Sequence, residues 1–183
     1  MELNWVRDDN PAWDDDKQRV IGGSPPGALE LTYSPGTSLP GDWWSARNSE
    51  GAVLGYGWLD ATWGGDAEVL LAVDGNAQGQ GVGSFILRNL ENEAGRKGLN
   101  YVYNTVRATH PDREGVHDWL AVRGYKGSST DTALRKRTQV ETGPAGPAPA
   151  RTSATAGPGS MDGAMPPGHE ESGGYVDIEK HQY

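Results

Sequence analysis

The chain has 183 residues and a mass of 19.6 kDa, which suits one domain with additional segments. Its formal charge of −9 argues against nucleic acid or an anionic membrane surface as the main partner and favours cationic ones, unless it only confers solubility. The absence of cysteine excludes disulfides, thiolate metal sites and a cysteine nucleophile. No stretch approaches a membrane span and the start MELNWVRDDN lacks a basic-plus-apolar leader, so the expected location is cytoplasmic, with no membrane partner.

In chain order, Asp14-Asp15-Asp16 reads as a solvated acidic face, with attraction of a cationic amine as the alternative. The stretch SPPGALELTYSPGTSLPG, residues 24–41, is Pro/Gly-rich and carries no periodic pattern. DWWSARNSEGAVLGYGWLDATW predicts a β-hairpin turning near Asn48-Ser49-Glu50-Gly51. Of its tryptophans, Trp44 and Trp58 are placed by alternation either in the core or along an acceptor pocket. AEVLLAVD follows the turn signal Gly64-Gly65-Asp66 and predicts a short strand.

Next comes GNAQGQGVGS, a glycine-bare loop feeding an amphipathic run. Unpaired N–H groups in a helix's first turn, with the positive end of its dipole, make an anion site where no side chain blocks the approach. The spacing excludes two ligand classes. Counting from Gly75, the nucleoside triphosphate loop would need Gly-Lys-Ser/Thr from position 80, where Gln80 stands. The dinucleotide fingerprint would need a third glycine where Ser84 stands. What remains is Gln78-Gly79-Gln80-Gly81-Val82-Gly83, a Q-x-x-G-x-G string; a plain Gly-rich turn is the bland alternative.

Beyond the loop, Val82, Phe85, Ile86, Leu90 and Ala94 share one helical face, and Arg88, Glu91, Asn92 and Arg96 the other, with Gly98 placed to end the helix. LNYVYNTVR predicts a strand. THPDREGVHDWLAVRGY predicts a second helix, with Pro111 in its first turn, Val116, Trp119 and Leu120 as its stripe and Gly124 closing it. YKGSSTDTALRKR predicts a final strand. His110, Asp112, Glu114 and His117 match no metal-ligand spacing; His110 and Asp112 read as caps of the helix start.

The Q-x-x-G-x-G string and the order strand, Gly-loop, helix, strand, helix, Gly-aromatic, strand resemble the acyl-coenzyme A loop and second half of the GNAT N-acetyltransferase superfamily. The resemblance extends back to LNWVRDD as a first strand and covers roughly residues 1–136. It implies an α/β fold, a mixed but mostly antiparallel sheet flanked by helices, with acetyl-CoA as cosubstrate. The fourth and fifth strands would splay apart, Leu71 to Val73 would bond the pantetheine arm, and an N–H near Leu71 would serve the thioester oxygen. Gln78, Gly79, Gln80, Gly81, Val82, Gly83 and Ser84 would hold the pyrophosphate, and Asn104 would reach the pantetheine amides or be an ordinary strand-end residue. Glu68 is the candidate general base, with a solvated strand-end charge as the alternative. One departure stands out: Leu120 sits where family members often carry the tyrosine that protonates the thiolate, leaving Tyr101, Tyr103 or water as substitutes. The acceptor-binding region falls on the Pro/Gly-rich stretch and cannot be read.

From about Gln139 the composition shifts to Pro, Gly, Ala and Ser, predicting a disordered linker over 137–174. The peptide YVDIEKHQY, residues 175–183, restores Tyr175, Val176, Ile178 and Tyr183; it reads as a docking motif for a protein partner, a strand folding back, or a frayed end. Three functions follow: acetyl transfer to an unidentified amine, a non-enzymatic module docking a partner through this peptide, or a protein acetyltransferase that recruits substrate with its tail.

Overall fold

A computed structural model describes residues 1–128 and 130–139. The peptide 175–183 and nearly all of the linker lie outside the described residues. One six-stranded sheet runs in chain order, β1 (Asn4–Asp8), β2 (Asp42–Arg47), β3 (Val53–Ala61), β4 (Asp66–Val73), β5 (Tyr101–Thr105) and β6 (Ala133–Arg137). Every neighbouring pair is antiparallel except β4 with β5, which is parallel and is joined by the crossover helix α2 (Val82–Arg96). This is the mixed, mostly antiparallel sheet with flanking helices that the resemblance implies. The strand pairing reaches slightly past residue 136: the Thr138 N–H donates to Asn100 O, and its hydroxyl donates to the carbonyls of Leu99 and Asn100.

The two faces of the sheet carry separate cores. On one, Val82, Ile86, Leu87, Leu90 and Ala94 of α2 pack with Ala67, Val69, Val102, Leu134 and Leu120 of α3 (Arg113–Val122). The approach is close because β3 offers glycines: a Cβ at Gly57 would sit 2.6 Å from Ile86 and 3.1 Å from Trp5, and one at Gly55 2.6 Å from Ile86. On the other face, α1 (Asp15–Val20) and the irregular segment after it cover Trp43, Val53, Tyr56, Trp58 and Ala72.

Three sequence expectations change here. Trp44 and Trp58 do not share a wall, since Trp58 pairs with Trp43 across β2–β3 and stacks on it at 4.3 Å, while Trp44 faces the opposite side and stacks on Trp5 at 5.8 Å. A one-residue register step decides the face, and both tryptophans are core. The acidic run is not merely a solvated face. Asp14 caps α1 by accepting from the Lys17 N–H at 2.8 Å, and its carboxylate, with that of Asp8, holds the buried Lys17 ammonium at 3.1 and 3.0 Å. Pro111 stands just outside α3, because Asp112 is its N-cap, accepting from the Gly115 N–H while His110 Nδ1 accepts from the Asp112 N–H. Among the described residues, no helix is long and apolar enough to cross a membrane.

Candidate active site

The site begins where β4 and β5 part. Their parallel pairing runs only from Asp66↔Tyr101 to Glu68↔Tyr103. The next potential contact is taken by a side chain, with Asn104 Nδ2 donating to Val69 O at 2.7 Å. Beyond it the strands enclose a cavity of about 1050 Å³, enough for a large ligand and a small second one.

Alternation along β4 determines which backbone groups face this gap. Asp74 N–H donates to Leu54 O and Thr62 N–H donates to Asp66 O, marking the hydrogen-bonded pairs of the antiparallel β3–β4 ladder. With the observed register, Leu70 and Ala72 therefore bond to β3, and the N–H and C=O groups of Leu71 and Val73 point the other way, into the gap. Both residues line the cavity, as Glu68 does from the opposite face of the sheet. The gap thus connects the Glu68 face with the face occupied by the Gly-loop and α3.

The loop is set by its first residue. Asp74, 7% exposed, accepts from the Asn76 N–H at 2.8 Å and pairs with Arg19 of α1, which also donates to Val53 O. A short 3-10 turn, Gly75–Ala77, follows, and α2 starts after Gly81, which adopts φ +84° and makes no side-chain cap. That left-handed conformation suits glycine, and nothing lies within 4 Å of where a Cβ would stand at Gly79 or Gly81. The N–H groups of Val82, Gly83 and Ser84 have no partner within the helix.

Glu68, Leu71, Val73, Gln78, Gly79, Gly81, Gly83, Ser84 and Asn104 all line the cavity. Gln80 and Val82 do not. Gln80 is exposed and donates to Asn76 O at 3.3 Å, while the Val82 side chain turns under α2 into the core at 1% exposure, so only its backbone stays at the loop. The Asn104 amide nitrogen is committed to Val69, which leaves its oxygen for a ligand.

Leu120 lines the cavity at 2% exposure, and no phenol lines it among the described residues. Tyr101 instead lies under the Arg135 guanidinium at 4.3 Å. Tyr103 neighbours Glu68 across β4–β5; burial first, and the Glu68 charge second, push its pKa up and keep it protonated.

Sequence reasoning missed Arg123 and the part Trp119 plays with it. Arg123, at the end of α3, donates to Ser84 Oγ at 2.7 Å and to Trp119 O at 2.8 Å, with its guanidinium 4.0 Å from the centre of the Trp119 ring. Both line the cavity, together with Arg107 and His110. The segment covering the far side is held by Thr109 Oγ1 donating to Gly27 O at 2.9 Å and by an Arg107–Glu30 ion pair at 3.1 Å.

Solved structures to which the chain is similar include a phosphinothricin acetyltransferase of Sinorhizobium meliloti in complex with AcCoA. It is 18% identical, with 54% of this chain and 61% of that one covered and a TM-score of 0.44. An N-acetyltransferase of Staphylococcus aureus is 19% identical, with 54% and 68% covered and a TM-score of 0.42. PaiA N-acetyltransferase of Thermoplasma acidophilum, in complex with coenzyme A, is 17% identical, with 52% and 59% covered and a TM-score of 0.43. The chain thus spans about three-fifths of the length of the Sinorhizobium and Thermoplasma proteins. No curated protein matches it in sequence. Residues 5–122 match the model of the Acetyltransferase (GNAT) family, from the first strand through the last turn of α3, and the chain belongs to that family.

Proposed function

We propose that the protein is an N-acetyltransferase that uses acetyl-CoA and acts on a primary amine. The observation that carries this reading is the pairing of a free β4 edge, at Leu71 and Val73, with an open glycine cradle at Gly79 and Gly81, both along one cavity. The cradle suits a pyrophosphate and the strand edge suits the amides of a pantetheine arm, so the residues present fit the cosubstrate. When bound, acetyl-CoA supplies an acetyl group activated as a thioester.

The chain's own groups would do the rest. The first-turn N–H groups of α2 bind the phosphates, aided by the helix dipole. The Leu71 N–H, already oriented into the gap, stabilises negative charge on the thioester oxygen without reorganisation. Glu68, on the opposite face, takes a proton from the attacking amine directly or through one water. The mouth on that face, with Pro25, Leu29, Leu70, Arg107 and His110, receives the acceptor.

In this reading water supplies the proton to the departing thiolate. Leu120 favours a second reading, a coenzyme A-binding module with slow or no turnover, because no phenol lines the cavity among the described residues. In either reading the working domain runs through Thr138, whose hydrogen bonds close the sheet, so the linker begins later than the 137 expected from composition and runs to 174, with 175–183 as a docking peptide. Calorimetry with acetyl-CoA, followed by a mass-shift screen against small amines and cell extract, separates the possibilities. Binding with acetylated product supports the enzyme, binding without product supports the module, and no binding refutes both.

A further inference from the structure

Arg123 presents an electrostatic anomaly. Its guanidinium is half-buried at the cavity wall, yet no carboxylate forms an ion pair with it among the described residues. Half-buried cations usually sit beside an anion because partial loss of water is unfavourable without one. Here the arrangement is worse than neutral. Through Ser84, in the first turn of α2, the guanidinium is held beside the positive end of that helix's dipole, where cations are disfavoured. The Trp119 ring, at 4.0 Å, and the Trp119 carbonyl keep it there in a fixed orientation. A cation held against a helix N-terminus, with no carboxylate paired to it among the described residues, suits an anionic group.

Resting on the acetyl-CoA reading above, we infer that Arg123 is a ligand for the cosubstrate's pyrophosphate and completes the Gly-loop from outside it. The first-turn N–H groups supply directional donors, and Arg123 supplies the full positive charge that the loop itself lacks, since Gln78, Gly79, Gln80, Gly81, Val82, Gly83 and Ser84 contain no cation. A planar guanidinium can keep its ring stack and one donor on Ser84 while turning other N–H groups to a phosphate oxygen. Pyrophosphate is the moiety indicated because Arg123 is tied to Ser84, within the turn where the loop's N–H groups converge.

The test measures affinities of coenzyme A and dephospho-coenzyme A, which lacks only the 3′-phosphate, for the full-length protein and for R123Q and R123K, with melting curves confirming that each is folded. R123Q should weaken both ligands by about ten- to a hundredfold, the loss of one charge-assisted contact, and R123K, which keeps the charge but loses the stacked planar fork, should fall between R123Q and the wild type. A loss confined to coenzyme A would place Arg123 on the 3′-phosphate and overturn the assignment. Equal losses in R123Q and R123K would show that charge is not what acts, and would also overturn it. Unchanged affinity in R123Q while the wild type binds refutes the role of Arg123 alone; failure of the wild type to bind either ligand refutes the acetyl-CoA reading with it.

Discussion

Gly81→Val separates the ligand cradle from the fold more cleanly than any other substitution. Gly81 stands at φ +84°, so a valine there carries left-handed backbone strain of about 1–2 kcal/mol, and more for a β-branched residue. No atom lies within 4 Å of the new Cβ, so the ligand-free protein meets no clash and should still fold. The cavity loses the space instead. With the cradle filled, a pyrophosphate would forfeit two or three charge-assisted hydrogen bonds worth about 1.5–3 kcal/mol each, a loss of a hundredfold or more in affinity. Gly51 provides a matched control, also at φ +84° with nothing within 4 Å, but in the β2–β3 turn. Gly51→Val should lower the melting temperature comparably and leave calorimetric affinity for coenzyme A untouched. Unchanged affinity in a folded Gly81→Val protein, or an equal loss in both variants, would refute the cradle.

Other expectations follow from the same geometry. Glu68→Gln keeps the shape but cannot accept a proton at neutral pH, so steady-state turnover should fall about 10²–10⁴-fold with calorimetric affinity for coenzyme A preserved. The paired change Asp8→Asn with Asp14→Asn strips both counter-charges from Lys17, which is 1% exposed, and should cost about 3–5 kcal/mol in denaturant unfolding. Tyr125 is buried and, among the described residues, no group lies within hydrogen-bonding geometry of its hydroxyl, so Tyr125→Phe should not lower the melting temperature. Burial first, and the Glu91 charge second, raise the folded pKa of that phenol above its unfolded value near 10, so its contribution is complete below about pH 10 and is lost as pH rises further. The phenylalanine variant should accordingly resist alkaline unfolding better than the wild type. Removing residues 140–183 should leave melting temperature and coenzyme affinity nearly unchanged, whereas cutting before Thr138 should destabilise, because its hydrogen bonds to Leu99 and Asn100 close the sheet.

What the sequence alone determined was local. The helix of Val82–Arg96 was legible because apolar residues recur at its own period, and the β2–β3 hairpin because Asn48 to Gly51 can turn where few other residues can. The Gly-loop was legible because left-handed φ demands glycine at Gly79 and Gly81. Asp112 as a cap followed from the same short-range chemistry.

The rest required segments far apart in the chain to meet. Nothing near Leu71 says that β5 leaves β4 after Glu68, since that depends on the register between two strands separated by an entire helix. Trp44 and Trp58 were grouped together because alternation within each strand is visible, but the step between strands is not, and one residue of register reverses the face. Arg123 meets Ser84 across 39 positions, and its stack on Trp119 exists only because α3 ends beside the start of α2. Local steric preference writes the elements into the sequence. Which charge faces which helix end is decided by packing, which no window of neighbouring residues contains.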